Sequence, residues 1–432
     1  MGIMNNRVNN RATGFYYNLT QIEVQGLNKQ YNLADGHAYH AMPASLQPVI
    51  QDMLGIWEYA GSKPIPLIEE QFKLATAELI GSPTLARLNT YSISPTASNS
   101  IDIVGAWLNM RNRKVGLLEP VFDNLHLLLK RRGVKPVIIQ ERDLVDLEKL
   151  QTKINLYKLD SLFIVTPNNP TGFELNEQEL KDLCDLCAKN KVALFVDTTF
   201  GLYSKQRIDN YKILEESGVD YAVIEDTGKT FPTQDMKASL MVYSRPLASD
   251  MRMLYEEIFL CSSSFTLALL GKLLQKTHEV GLDKVVWDEV AVRRQHLERA
   301  LAESPLKLTG KSNACALPLA WLDSSATGLP DTMLVTELMK HQVAVLPGRF
   351  FYRGSRYKDA THVRLSLMKP DNIFYGGVKA LGQALPKIIR EVFGELQPRP
   401  YPGADERIRS SEGPSRGHLC PQDSFSRRKN GD

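Results

Sequence analysis

The sequence predicts an α/β fold, a mostly parallel sheet flanked by helices, followed by a smaller α/β unit. Two observations predict it. Apolar runs rich in β-branched residues recur through the middle of the chain (KVGLLEP, KPVIIQ, SLFIVTP, VALFVDT, YAVIEDT, SLMVYS), and helical periods such as LNEQELKDLCDLCAKN separate them. A helical stretch over about 282–303 then leads to strands near HQVAVLPG and HVRLSL and to a last helix over about 372–394. Ligands of such sheets sit beyond the carboxyl ends of the strands, so the residues just after those runs are the first candidates for chemistry.

In chain order, the region from Asn18 to Gly36 reads as a short helix and then an extended approach. The expected division is an N-terminal helix and arm joined to the small domain (1–63), a large domain (64–324), a small C-terminal domain (325–396) and a tail (397–432). The tail is rich in Pro, Gly, Ser and Arg and has little periodicity, which predicts disorder.

Composition removes several classes of function. A net charge of +3 over 432 residues is too small to argue for nucleic acid or an anionic membrane surface. No apolar run approaches the roughly 20 residues a membrane span needs. The opening MGIMNNRVNN has no apolar segment of a secretory leader, so a cytoplasmic protein is expected. Five scattered cysteines do not suggest a disulfide framework. Cys184 and Cys187 form a C-x-x-C inside a helical stretch, with no second pair at zinc spacing, and read as half-buried thiols rather than a metal site.

Four features then occur in one order. SPTASNS (94–100) lies between a strand and a helix, and its small residues let backbone amides at a helix N-terminus approach an anion. TPNNPTG (166–172) follows the run SLFIV, Asp197 ends VALFVD, and DTGK (226–229) follows YAVIE. Taken alone, each is an ordinary cap, loop, strand end or surface lysine. Together, over about residues 30–395, they resemble the fold-type I pyridoxal-phosphate (PLP) enzymes of the aspartate aminotransferase superfamily. The resemblance implies that Lys229 forms the Schiff base and that Thr96, Ala97, Ser98 and Lys237 hold the phosphate. It further implies that Phe122 stacks on the ring, Asn169 donates to its phenolic oxygen, Asp197 pairs with its nitrogen, and Arg364 grips the substrate α-carboxylate. Tyr59 would reach the phosphate of a neighbouring subunit in a homodimer.

Three departures point away from plain transamination. Asp226 stands where the family commonly has a phosphate-binding serine, and its charge suits a cationic substrate group better than a phosphate. Phe200 replaces the usual tyrosine beside the phenolic oxygen. At the N-terminus, Thr20 and Glu23 share one helical face, and NLADGHA delivers Asp35, Gly36 and His37. This set resembles the O2- and PLP-dependent L-arginine oxidases of enduracididine-type biosynthesis. The likeness implies oxidation of L-arginine through quinonoid intermediates, with no flavin or metal. The products would be 4-hydroxy-2-ketoarginine with 2-ketoarginine, or 4,5-dehydroarginine. Thr20, Glu23, Gly36 and Asp226 would then line the substrate side, and His37, with an ordinary pKa of about 6.5, would act as acid or base.

Two rival readings remain at this point. One is a conventional aminotransferase for a basic amino acid. The other is a regulator with an aminotransferase-like domain, but only some thirty residues precede NLADGHA, too few for a winged helix, and Lys229 is retained.

Overall fold

The structure is a computed structural model that describes residues 18–309, 315–353 and 361–394. Its strands, in chain order, are β1 (Tyr31–Asn32), β2 (Tyr91–Ser94), β3 (Val115–Glu119), β4 (Val137–Gln140), β5 (Ser161–Val165), β6 (Ala193–Asp197) and β7 (Tyr221–Asp226). There follow β8 (Ser239–Tyr243), β9 (Lys307–Thr309), β10 (Leu319–Asp323), β11 (Val343–Ala344), β12 (Leu346–Pro347) and β13 (His362–Ser366). Seven of them form one sheet in the order β2-β8-β7-β6-β5-β3-β4. Strands β3 to β7 pair in parallel, and every residue of β3, β5 and β6 is buried, as a sheet covered on both faces requires.

The runs read from the sequence as strands are strands, and the reason is local: continuous apolar, β-branched segments satisfy both faces of a central sheet. β8 runs antiparallel to β7, and β2 antiparallel to β8, so β2 points the same way as β7. The carboxyl ends of β2, β5, β6 and β7 therefore lie along one edge.

A second, four-stranded antiparallel sheet has the order β12-β13-β10-β9, so it draws on residues before 325 as well as after. β1 pairs in parallel with β11, tying the N-terminal approach to this second half of the chain. The helix expected over about 282–303 is wound differently at its start: Asp283–Trp287 is a π-turn that follows Gly281 at φ 103°, and the α-helix proper is Asp288–Ala300. The last helix is Asp371–Gly394.

Cys184 and Cys187 are buried on the helix Glu177–Asn190, and burial holds both thiols well above their ordinary range. Among the described residues no helix is long and apolar enough to cross a membrane. The tail after 397 lies outside the described residues.

Candidate active site

The edge formed by the strand ends opens into a cavity of about 370 Å3, and fifteen of the residues that the sequence singled out for cofactor, substrate or proton transfer line it, Tyr59 being the exception. The register explains part of this. Val165 pairs with Asp197 across β5 and β6, and Asp197 with Ile224 across β6 and β7. The last residues of three adjacent strands thus bring Asp197 and Asp226 close together, with Asn169 four residues beyond β5 and Lys229 three beyond β7.

Asp197 is 4 % exposed and accepts a hydrogen bond from the Thr199 amide, and burial pushes its carboxyl up to about 6. Asn169 is buried, and its side-chain oxygen has no protein partner. Phe200 packs tilted against Tyr203, whose hydroxyl donates to the Lys229 carbonyl at 2.6 Å. Burial holds the Lys229 amine below the usual lysine range, against the pull of Glu23, Asp35 and Asp226.

The helix Ala97–Met110 starts at the same edge, capped by Thr96, whose hydroxyl oxygen accepts from Asn99 N. A hydroxyl ladder, Ser94 to Ser100 to Ser239 at 2.9 Å each, fixes the first turn on β2 and β8. Asp226 turns toward this helix start. One carboxylate oxygen accepts from Ala97 N at 3.1 Å and the other from Gly228 N at 2.7 Å. The serine-to-aspartate departure is thus met by backbone donors, and a carboxylate already answers one amide of the phosphate-type cradle. Asp226 and Glu23 line the same cavity, and the hydrogen bonds of Asp226 run to the Ala97 and Gly228 amides.

The opposite wall comes from the second half of the molecule. The segment 33–39 is stitched to it by Leu33 N to Ala344 O, Ser366 N to Leu33 O and Tyr39 N to Met368 O. Arg364, 1 % exposed, donates to the Ala34 carbonyl, and its guanidinium lies 5.8 Å from the Phe122 ring centroid. Glu23 Oε1 is 3.6 Å from Arg364 Nη2, and burial pushes the Glu23 carboxyl above its ordinary value while Arg364 and Lys229 oppose the shift. Thr20 sits one turn earlier on the same helix, Leu19–Gly26, here α1.

His37 Nδ1 lies 2.6 Å from Asp35 Oδ1, and its Nε2 lies 3.1 Å from Lys237 Nζ. Burial first, then the Lys229 charge, holds the imidazole below its ordinary pKa. Hydrogen bonding by His37 and the charge of Lys369 outweigh burial at Asp35 and hold its carboxyl well below the carboxylate range.

Sequence reasoning missed several members of the site. Lys369 lies 3.6 Å from Asp35, and burial lowers it to about 8. Asn124 donates to Ser98 Oγ at 2.8 Å. Neither belongs to a motif, and the only signal was that Asn124 sits two residues past Phe122. Tyr59 does not line this cavity; its hydroxyl donates to Gln71 at 2.6 Å.

The family model of class I and II aminotransferases matches residues 50–376, well over half of the chain. LL-diaminopimelate aminotransferase of Prochlorococcus marinus is 26% identical over 137 residues, 30% of this chain and 32% of that protein. (S)-3,5-dihydroxyphenylglycine transaminase of Amycolatopsis orientalis is 25% identical over 230 residues, 49% of this chain and 50% of that protein. The matched stretches thus span from a third to a half of these relatives. A structure of MppP soaked with the product 2-ketoarginine superposes with a TM-score of 0.74 at 28% identity, covering 82% of this chain and 99% of that one. A mutant aspartate aminotransferase of Thermus thermophilus shares the fold, with a TM-score of 0.65 at 16% identity over 82% of this chain and 95% of its own. With strand ends, half-buried Lys229 and the unpartnered Asn169 oxygen arranged around one cavity, the chain belongs to the class I and II aminotransferase family, the fold-type I pyridoxal-phosphate enzymes.

Proposed function

We propose that this protein is a PLP-dependent oxidase that uses O2 to oxidise L-arginine or a close cationic amino acid. The observation that carries the reading is Glu23, a carboxylate that an N-terminal helix brings into the cavity beside Arg364 and the Lys229 charge. The cavity is rich in both signs, with Arg364, Lys229 and Lys237 against Glu23, Asp197 and Asp226, and the Lys369–Asp35 pair lies behind its wall next to His37. Such a site suits a substrate that is itself carboxylate at one end and cation at the other. The MppP structure, soaked with 2-ketoarginine, is further support.

The residues present fit the cofactor. Asn169 is a buried amide on the cavity wall, and Asp197 is an enclosed acid at the end of a central strand. Lys229, with its amine lowered by burial, lines the same space. Lys229 would hold PLP, Asn169 its phenolic edge, Asp197 its nitrogen, and Thr96, Ser98 and Lys237 its phosphate, with Ala97 joining them once Asp226 releases its amide and with Phe122 and Phe200 against the ring. Bound there, PLP supplies an electron sink for charge developing at the substrate α-carbon. Arg364 takes the substrate carboxylate, and Glu23 with Thr20 takes the cationic side chain. Gly36 leaves room beside Arg364. Lys229 removes the α-proton. His37, neutral and oriented by Asp35, moves a proton further along the side chain. Water added at C4, with hydrolysis releasing the amine as ammonia, would give 4-hydroxy-2-ketoarginine, hydrolysis without that addition would give 2-ketoarginine, and protonation without either would leave 4,5-dehydroarginine.

A homodimer belongs to the proposal. Leu54 and Trp57, 71% and 64% exposed on the helix Met53–Ser62 that also carries Tyr59, leave an apolar face for a second copy.

A second reading, transamination of a basic amino acid, is favoured by the curated relatives, which are transaminases. An oxygen-electrode trace with the holoenzyme and L-arginine, followed by mass analysis of products, separates the two. Oxygen uptake with ketoarginine-type products is expected. Amino transfer to pyruvate or 2-oxoglutarate without oxygen uptake would remove the oxidase reading.

A further inference from the structure

The helix α1 carries Thr20 and Glu23, yet it is eight residues long, far below the length at which a helix persists alone in water. Leu19 and Ile22 are its buried apolar contacts, and Thr20, Gln21, Val24 and Gln25 are exposed. What holds it in place therefore decides where Glu23 points. Asn18 caps one end by accepting from Gln21 N. The Leu19 amide, which no residue of α1 can satisfy, donates instead to Asp123 Oδ2 at 2.9 Å, across 104 residues of chain.

Asp123 stands next to Phe122, in the first turn of the helix Asp123–Arg131, where a carboxylate suits the local helix dipole. The same oxygen lies 3.1 Å from Arg353 Nη2, and the Asp123 side chain has no solvent exposure. A carboxylate is costly to bury unless donors answer it. Here the Leu19 amide donates to Oδ2 and the Arg353 guanidinium forms an ion pair with the same oxygen, so one acidic group ties three distant parts of the chain together. The turn that presents Phe122 to the cavity is the turn that anchors α1.

We propose that Asp123 is a positioning residue that seats α1, and with it Thr20 and Glu23, on the cavity. Asp123 does not line the cavity; it acts through the Leu19 amide, and its neighbour Arg353 offsets its buried charge. The effect on turnover rests on the arginine reading given above, whereas the effect on α1 does not.

The test uses the holoenzyme with Asp123→Ala and the milder Asp123→Asn, whose amide oxygen can still accept from Leu19 N. Amide hydrogen exchange over 19–26 should rise by roughly tenfold in the alanine variant, the loss of one charge-assisted hydrogen bond, and by less in the asparagine variant. Exchange over β6 and the cofactor absorbance should stay as in the parent protein. KM for L-arginine should rise by roughly tenfold, with kcat changed much less. If the alanine variant does not fold, the asparagine variant and Arg353→Gln must still raise exchange over 19–26. Unchanged exchange there in every folded variant overturns the proposal. Raised exchange in a protein that never consumes arginine leaves Asp123 as the anchor of α1 and removes the substrate reading instead.

Discussion

Asp35 holds the ring of His37: Oδ1 is 2.6 Å from Nδ1, and the same oxygen accepts the His37 backbone amide at 2.9 Å. One carboxylate thereby fixes both the backbone turn and the tautomer, so that Nε2 is the nitrogen left facing Lys237 and the cavity. Lys369 in turn lies against Asp35, which keeps that carboxylate charged.

Asp35→Asn should therefore change the pH dependence as well as the rate. Asp35 is among the groups that raise the His37 pKa, whereas burial and Lys229 lower it. Its removal lowers that pKa further, so the acid limb of the kcat profile should move to lower pH. The expected loss in kcat is roughly tenfold, read from initial rates across pH 5 to 9. A profile that keeps its acid limb in place would assign that limb to another group.

Glu23→Gln removes the charge but keeps a hydrogen-bonding side chain of the same shape. KM for L-arginine should rise by roughly tenfold or more, while the absorbance of the lysine-bound cofactor is unchanged. If that absorbance collapses, Glu23 supports the site structurally rather than through the substrate.

Lys229→Ala should give a protein without that absorbance, and mass analysis after borohydride reduction should find no cofactor attached. Burial already depresses the Lys229 pKa, which favours the free amine needed to attach an aldehyde. Covalently bound cofactor in this variant would assign the attachment to another lysine.

Glu225 supplies a test away from the cavity. It alternates with Asp226 on β7 and so faces the other side of the sheet, where Tyr211 donates to it at 3.0 Å. Burial raises its carboxyl from 4.5 to about 7. The folded chain keeps this proton where the unfolded chain has released it. The stability Glu225 contributes is thus complete below about 4.5 and is lost as pH rises through about 7. Glu225→Gln should flatten the decline in urea-unfolding stability over that window, measured on holoenzyme so that Asp197, raised to about 6, is paired with the cofactor. An unchanged slope would place the buried proton elsewhere.

Much of the site was legible in the sequence because its parts are local. Asp197, Asn169 and Lys229 follow apolar runs by zero, four and three residues, and a strand's end is readable from the run that precedes it. Glu23 and Thr20 were legible as a pair on one helical face. Asp123 and Lys369 were not: Asp123 follows Phe122, but nothing local marks it as a partner of the N-terminal helix, and nothing near Lys369 marks it at all. Their partners lie 104 and 334 residues away, at Leu19 and Asp35.

The sequence by itself determined the order of strands and helices, the covered parallel sheet and the identity of the groups at its edge, since periodicity and turn chemistry act over a few residues. The tertiary structure decided which way those groups turn. Asp226 answers the amide of Ala97, Glu23 pairs with Arg364, and Asp35 orients His37. Such pairings depend on distances between segments far apart in the chain, and buried charge selects among them because only a well-placed partner offsets its lost hydration.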